Sequence, residues 1–274
     1  MPDKPRQYLA LLTEYDGSAF SGWQIQPRQR TVQAVLRDAI RTLTGEDIRL
    51  TGCSRTDAGV HARGHVSSFS ACSRIVPEKW PLALNSVLPP DISVQAAATV
   101  PEAFNARRDA RGKIYSYTIW RPAARPAILR RTCAHVPGRL DLDAMAGALP
   151  LLLGRRDFRA LCDAGSPALT TMRTIQALRL ISRGPLVTLY VQGDGFLYHM
   201  MRILTGTLLA VAEGKLTACQ MTAIIESGDR RKAGKTMPPE GLCLEHVQYQ
   251  PAVFGPWREP VKEEGEWDVH VALE

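Results

Sequence analysis

The amino-acid sequence predicts an α+β protein built from two halves, and three observations carry that expectation. Apolar residues alternate with a period of two in several short stretches and recur at helical spacing in longer ones, so strands and amphipathic helices are both present. Two strand-like stretches, RTIQALRLIS (173–182) and LVTLYVQ (186–192), are parted only by Arg183, Gly184 and Pro185, the signature of a hairpin. Hairpins mixed with helices argue against a regularly alternating parallel sheet, and 274 residues suffice for one large domain or two of ordinary size.

In the first half, YLALLTEYDG (8–17) reads as a strand ending in an Asp-Gly turn. TVQAVLRDAIRTLTG (31–45) places Val32, Val35, Leu36, Ala39, Ile40 and Leu43 on one helical face, with Thr31 able to cap the start and Gly45 the end. HVSSFS (65–70) is short and extended. EKWPLALNSVL (78–88) is a helix that tolerates Pro81 in its first turn, and DISVQ (91–95) returns as a strand. Residues 100–111 read as the crossing into the second half. That half opens with the strand GKIYSYTIW (112–120), with Tyr115, Tyr117 and Ile119 on one face. A Pro/Arg-rich loop follows, then a helix bearing Leu142, Met145, Leu149 and Leu152, the hairpin, a long helix in FLYHMMRILTGTLLAVAEG (196–214), and a shorter one near 217–226. The expected organisation is residues 1–105, residues 106–250, and an acidic tail, 251–274, that looks dispensable.

Composition narrows the function. At 45% hydrophobic and 22% charged, the chain can build a substantial core. No run approaches the ~20 apolar residues of a membrane span, and the N-terminus lacks an apolar signal core, so no membrane and a cytoplasmic location are expected. Six cysteines are scattered without a CxxC pair, which predicts reduced thiols and neither a zinc site nor a disulfide framework. Net charge is +7, yet residues 258–274 carry two basic against six acidic side chains, a balance of −4 that leaves +11 on the rest. Arginines cluster at Arg28/Arg30, Arg107/Arg108/Arg111, Arg155/Arg156/Arg159 and Arg230/Arg231 with Lys232. One cluster is an ordinary solvated surface; several on one basic body point to a polyanion, with nucleic acid the leading partner.

Generic enzyme signatures are absent. GDRRKAGKT (228–236) spaces its glycines one residue too far apart for a phosphate-binding P-loop and runs into Pro238-Pro239, which cannot open the required helix. No glycine-rich turn joins strand to helix in the dinucleotide pattern, so no nucleotide cofactor is expected. Asp-Ala-Gly occurs at 57–59 and again at 163–165, but neither copy has the hydroxyl residue or the preceding apolar run of an aspartic protease.

A distinctive segment is GCSRTDAGVHARGHV (52–66), which sets Asp57 in a polar loop with no second acid beside it. It stands in order with YDGSAFSGWQIQPRQRTVQAVL, ALNSVLPPDI, FNARRDARGKIYSYTIW, LLLGRRDF, GDGFLYHMMRILTG and MPPEGLCLEHVQY. This ordered set resembles the tRNA pseudouridine synthase A family over roughly residues 8–250. His65, Asn105 and Asp194 stand where the family pattern has Gln, His and Asn.

The resemblance implies the pseudouridine synthase fold, two halves with antiparallel or mixed sheets flanked by helices and joined across a central cleft. It implies isomerisation of uridine to pseudouridine in the tRNA anticodon stem-loop at positions 38, 39 and 40, no cofactor, and a homodimer. One acid suffices because the C1′–N1 bond breaks, the uracil turns, and C5 bonds to C1′ with no redox change. A carboxylate can attack C1′ or remove the C2′ proton, and both routes stay open. Carried over residue by residue, Asp57 is the catalytic acid, Arg202 its basic partner, and Tyr115 the aromatic that stacks on the uracil. Arg55 would hold phosphate or help open the base site, Phe196 and Leu197 would wall the pocket, and Arg107, Arg108 and Arg111 would meet stem phosphates. His61 fits a structural histidine as well as a ligand. The simpler alternatives are a turn aspartate, a sheet-packing tyrosine and a solvated arginine.

Overall fold

The alternating and helical patterns fold, in a computed structural model that describes residues 5–166, 168–256 and 267–273, into eleven strands and five α-helices among the described residues. In chain order these are β1 (Arg6–Tyr15), α1 (Val32–Thr44), β2 (Thr51–Gly52), β3 (His61–Cys72), α2 (Trp80–Asn85), β4 (Ile92–Thr99), β5 (Ala110–Trp120) and β6 (Ala134–His135). They continue with α3 (Leu142–Ala148), β7 (Gly154–Asp157), β8 (Met172–Arg183), β9 (Leu186–Gly193), α4 (Met200–Ala212), α5 (Ala218–Ser227), β10 (Leu242–Tyr249) and β11 (Trp267–Ala272). Mixed strands with flanking helices make this an α+β fold. Contacts divide the chain into two compact units. The backbone leaves the first between Arg111 and Gly112, inside β5, and re-enters it between Cys243 and Leu244, inside β10.

In the first unit the strand order is β10-β3-β1-β4, with β2 also paired to β3. β1 runs antiparallel to both neighbours, in register from Arg6↔Cys72 to Tyr15↔Ala62 on one side and from Leu9↔Thr99 to Tyr15↔Ile92 on the other. Leu9, Ala10 and Leu11 are all buried, as befits a strand covered on both faces. α1 buries Val32, Leu36, Ala39 and Ile40 and ends as predicted on Gly45, whose φ of 81° lets its N–H reach Arg41 O. Its start differs from expectation: Thr31 holds the cap position, but its hydroxyl makes no capping bond and is buried. β3 spans twelve residues where six were predicted, because Ser67, Ser68 and His65 are buried and period-two apolarity is lost. Trp80 of α2 meets Phe69 of β3 edge-on at 5.4 Å.

In the second unit the order is β11-β8-β9-β5, with short β7 on β8 and β6 parallel to β5. The predicted hairpin is present, Arg183 pairing Leu186 around Gly184 at φ 52°. α3, α4 and α5 pack on one another, and α4 is buried along most of its length. Thr217 and Gln220 form a reciprocal capping box that starts α5. The tail expected to be dispensable contributes β11, antiparallel to β8 from Trp267↔Ser182 to Ala272↔Ala177. Asp268 there accepts two bonds from Arg179 Nε at 2.9 and 3.1 Å, with both side chains largely buried. The rest of that tail, 257–266 and 274, lies outside the described residues.

Candidate active site

The Asp57 loop is held from below by the segment that follows β1. Ala58 and Gly59 form a turn closed by Val60 N–H on Asp57 O at 3.2 Å, and Gly59 takes the φ of 78° that such a turn needs. A Cβ on Gly17 would lie 2.0 Å from Val60 O, and one on Gly22 would lie 2.6 Å from Thr56 O, so backbone rests directly on backbone at both points. Trp23 N–H donates to Thr56 O at 3.0 Å, and Gly59 N–H to Phe20 O at 3.2 Å. The buried Thr56 hydroxyl bonds Tyr15 Oη at 2.8 Å. With its neighbours fixed, Asp57 is half-buried while Arg55 and Ala58 are exposed. This clamp explains why YDGSAFSGW and SRTDAGVH occur together in one chain.

His61 and His65 continue the same support. Gly17 N–H donates to His61 Nδ1 at 3.1 Å, which makes that nitrogen an acceptor and puts the neutral ring's proton on Nε2. The nearby Asp16 carboxylate, 3.3 Å from the same nitrogen, is therefore a neighbour and not an ion-pair partner in this tautomer. His61 is 7% exposed, so the structure gives it a backbone-supporting role. His65 stacks on Trp23 at 3.7 Å and donates from Nε2 to Ser54 O at 3.1 Å, tying down the entrance to the loop.

Arg107, Arg108 and Arg111 lie at the end of the first unit's main segment and at the start of β5. Asn105 organises them: its side-chain oxygen accepts the N–H groups of Arg107 and Arg108 at 3.0 Å each, and Asp109 Oδ2 accepts Asn105 N–H at 2.8 Å. Arg108 donates to Asp109 at 3.1 Å and to Ala103 O at 2.7 Å, while Arg107 and Arg111 are exposed. The Asn105 amide, outweighing partial burial and helped by the charges of Arg108 and Arg111, holds the Asp109 carboxyl below its ordinary range.

In the second unit, Tyr115 on β5 is buried and meets Phe196 edge-on at 4.9 Å, with Leu197 buried beside it in the chain. Arg202 stands in the first turn of α4, half-buried, and donates from Nε to Met237 O at 2.6 Å. Tyr117, two residues along from Tyr115, donates to Pro238 O at 2.6 Å. Burial, reinforced by Glu240 and partly opposed by Arg202, pushes the Tyr117 phenol far up. Asp194 closes the turn beyond β9 by accepting Thr174 N–H at 2.9 Å. Of the residues named from sequence, Asp57 and Arg55 share one loop of the first unit and His61 opens β3 just after it, while Tyr115, Phe196, Leu197 and Arg202 belong to the second.

One cluster was not foreseen. The second Asp-Ala-Gly carries Asp163, whose carboxylate accepts His199 Nδ1 at 2.7 Å, Arg230 Nε at 2.7 Å and Thr236 Oγ1 at 3.1 Å. Burial raises its pKa, but these donors and the Arg230 charge outweigh it and hold the carboxyl below the usual range. Arg230, counted in sequence among phosphate-facing clusters, is spent internally, because its other nitrogens bond Gly234 O and Thr236 Oγ1. A cavity of about 270 Å³ is lined by Arg156 and Arg159 of one arginine cluster and by the end of α5, and by none of Asp57, Tyr115 or Arg202. Among the described residues no group of three or more His, Cys, Asp or Glu side chains is placed to hold a metal ion, and no helix is long and apolar enough to cross a membrane.

The profile of a family described as tRNA pseudouridine synthase matches residues 11–108 and 148–250. The tRNA pseudouridine synthase A of Caldicellulosiruptor bescii is 46% identical over 88% of this chain and 99% of its own length. That of Moorella thermoacetica is 46% identical, and that of Clostridium acetobutylicum 45%, each over the same shares. β11 lies beyond residue 250, where the family match ends.

Proposed function

The chain belongs to the tRNA pseudouridine synthase family, whose members convert uridine to pseudouridine in tRNA, and from that premise we propose that it acts on the anticodon stem-loop at positions 38, 39 and 40 with Asp57 as its single catalytic acid. The carboxylate opens the reaction at the ribose, the glycosidic C1′–N1 bond breaks, and the detached uracil turns. C5 then bonds to C1′, the C5 proton leaves, and N1 gains a proton, so no oxidant, metal or group donor is consumed. Tyr115 stacks on the uracil, Phe196 and Leu197 wall the base site, and Arg202 supplies the cation that keeps the acid ionised. Arg107, Arg108, Arg111 and Arg55 contact phosphates, and the target nucleotide leaves its stack to be reached. The enzyme works as a homodimer in the cytoplasm.

What supports this reading most is the clamp beneath residues 56–60, which fixes the main chain of a half-buried carboxylate to backbone at Gly17 and Gly22. A turn aspartate whose only task was to precede Gly59 would not need such support. The deciding experiment follows tritium release from C5-labelled uridine in an unmodified anticodon stem-loop. Wild type releases tritium stoichiometrically with target uridines. Asp57→Asn keeps shape and hydrogen-bonding capacity, retains tRNA affinity, and loses turnover by roughly a thousandfold or more, about 4 kcal/mol on the barrier. Turnover of that variant within tenfold of wild type assigns the chemistry elsewhere.

A further inference from the structure

We propose that Asp163, His199 and Arg230 are positioning residues for Arg202, aiming its guanidinium through the segment 230–237 without touching substrate; this rests on the reading of Arg202 as the acid's basic partner. The carboxylate of Asp163 gathers donors from both ends of the apparatus. His199 immediately precedes α4, whose first turn carries Arg202, while Arg230 and Thr236 lie near the two ends of the segment. Arg230 stiffens the same segment from within by bonding Gly234 O at 3.0 Å and Thr236 Oγ1 at 2.7 Å.

That segment is pressed onto α4. Gly234 N–H donates to Thr207 Oγ1 at 3.0 Å, and a Cβ on Gly206 would lie 2.0 Å from Lys235 O. One residue past Thr236, Met237 O receives Arg202 Nε at 2.6 Å, and Met237 N–H returns a bond to Arg202 O at 3.3 Å. A planar guanidinium fixed at Nε has the direction of its remaining nitrogens set as well. His199 adds a second lever. It takes a left-handed φ of 60° at the helix start, a conformation rare outside glycine, and its Nδ1 bond to Asp163 holds it there. The carboxylate thus locks the helix that carries Arg202 and the carbonyl that orients it. One member of a basic cluster read from sequence as phosphate-facing, Arg230, serves as a brace.

The test combines kinetics with amide hydrogen exchange on the full-length protein. Asp163→Asn and Arg230→Met should each lower the single-turnover rate at saturating tRNA by roughly tenfold while leaving tRNA affinity within about twofold, the pattern of lost alignment. Thr236→Val removes one donor to Asp163 and one acceptor of Arg230 while leaving the charges in place, and should cost a few-fold, which keeps the question answerable should the larger changes impair folding. Combined with Arg202→Met, each should add little, because residues acting through one group are not additive. Exchange at the amides of residues 234–237 should accelerate in all three variants. Weakened affinity with a full rate at saturation would make Arg230 a phosphate contact and overturn the proposal, as would rate losses that multiply with Arg202→Met. Arg202→Met retaining the full rate would refute the role given to Arg202. Unchanged exchange at 234–237 would then independently refute the brace.

Discussion

Replacing Gly206 by alanine tests the closest backbone approach in the second unit, and opposing terms decide its sign. In a helix interior the change alone is favourable by about 1 kcal/mol. Here, however, the new Cβ would meet Lys235 O at 2.0 Å, against the 3.4–4 Å of ordinary contact, and Lys235 C at 3.1 Å. The obstacle is backbone and cannot swing aside, so the 234–235 chain must retreat by more than about 1 Å, an overpacking cost of roughly 1–3 kcal/mol. That retreat stretches Gly234 N–H away from Thr207 Oγ1, now at 3.0 Å, and forfeits about 1 kcal/mol more. The balance is about 2 kcal/mol destabilising, or a fall in Tm of roughly 4–8 °C for a unit of this size. Gly147 near the end of α3 is the control: nothing lies within 4 Å of its would-be Cβ, and it is exposed. There the same substitution keeps the helix-propensity gain and raises Tm by roughly 1–4 °C. Circular-dichroism melts of both variants under one buffer check the pair. A Gly206→Ala protein melting at or above wild type would mean that the 234–235 backbone does not rest on α4.

Two further outcomes follow from charge. Asp163 has its folded pKa below the ordinary value near 4, so its contribution to stability is complete above about pH 4 and is lost as pH falls through the lower folded value. Asp163→Asn should therefore flatten the loss of stability between pH 5 and 3 in urea melts, and an unaltered slope over that range counts against the linkage. Asp268→Ala removes the carboxylate that pairs the largely buried Arg179 guanidinium and should cost about 3 kcal/mol, most of it recovered when Arg179→Met is made in the same chain. Additive losses in that double-mutant cycle would show the pair to be uncoupled.

The sequence made the regular, half-buried elements legible and hid those whose character comes from partners. β1, α1 and the β8–β9 hairpin announce themselves because apolar spacing and turn chemistry agree. β3 does not, since Ser67, Ser68 and His65 are buried although polar side chains in a strand pattern signal exposure. β6, β7 and β11 are short strands defined by what they pair with, information absent from their own residues. At the site, Gly17 and Gly22 stand where backbone rests on backbone, and Gly59 where the chain turns left-handed. Arg230 is not legible, because its neighbours Arg231 and Lys232 suggest a basic surface, whereas its partner Asp163 is 67 positions earlier. The repeated Asp-Ala-Gly is the one local signal of this acid, and it does not name the acid's partners.

The discontinuity of both units fixes the order in which this protein can be completed during synthesis. β10 borders β3 in the first unit, with Arg63 donating to Glu245 at 2.6 Å, yet it is translated only after residues 112–243. β8 of the second unit likewise waits for β11, made some eighty residues later. Until each arrives, a long strand presents an open edge on the ribosome, where hydrogen-bonding groups can recruit a neighbouring nascent chain. The first unit receives its last segment, 244–258, only after residues 112–243 of the second have been made, and the second then waits for 259–274. A fragment ending at residue 111 would lack β10 and would carry the exposed edge of β3 permanently.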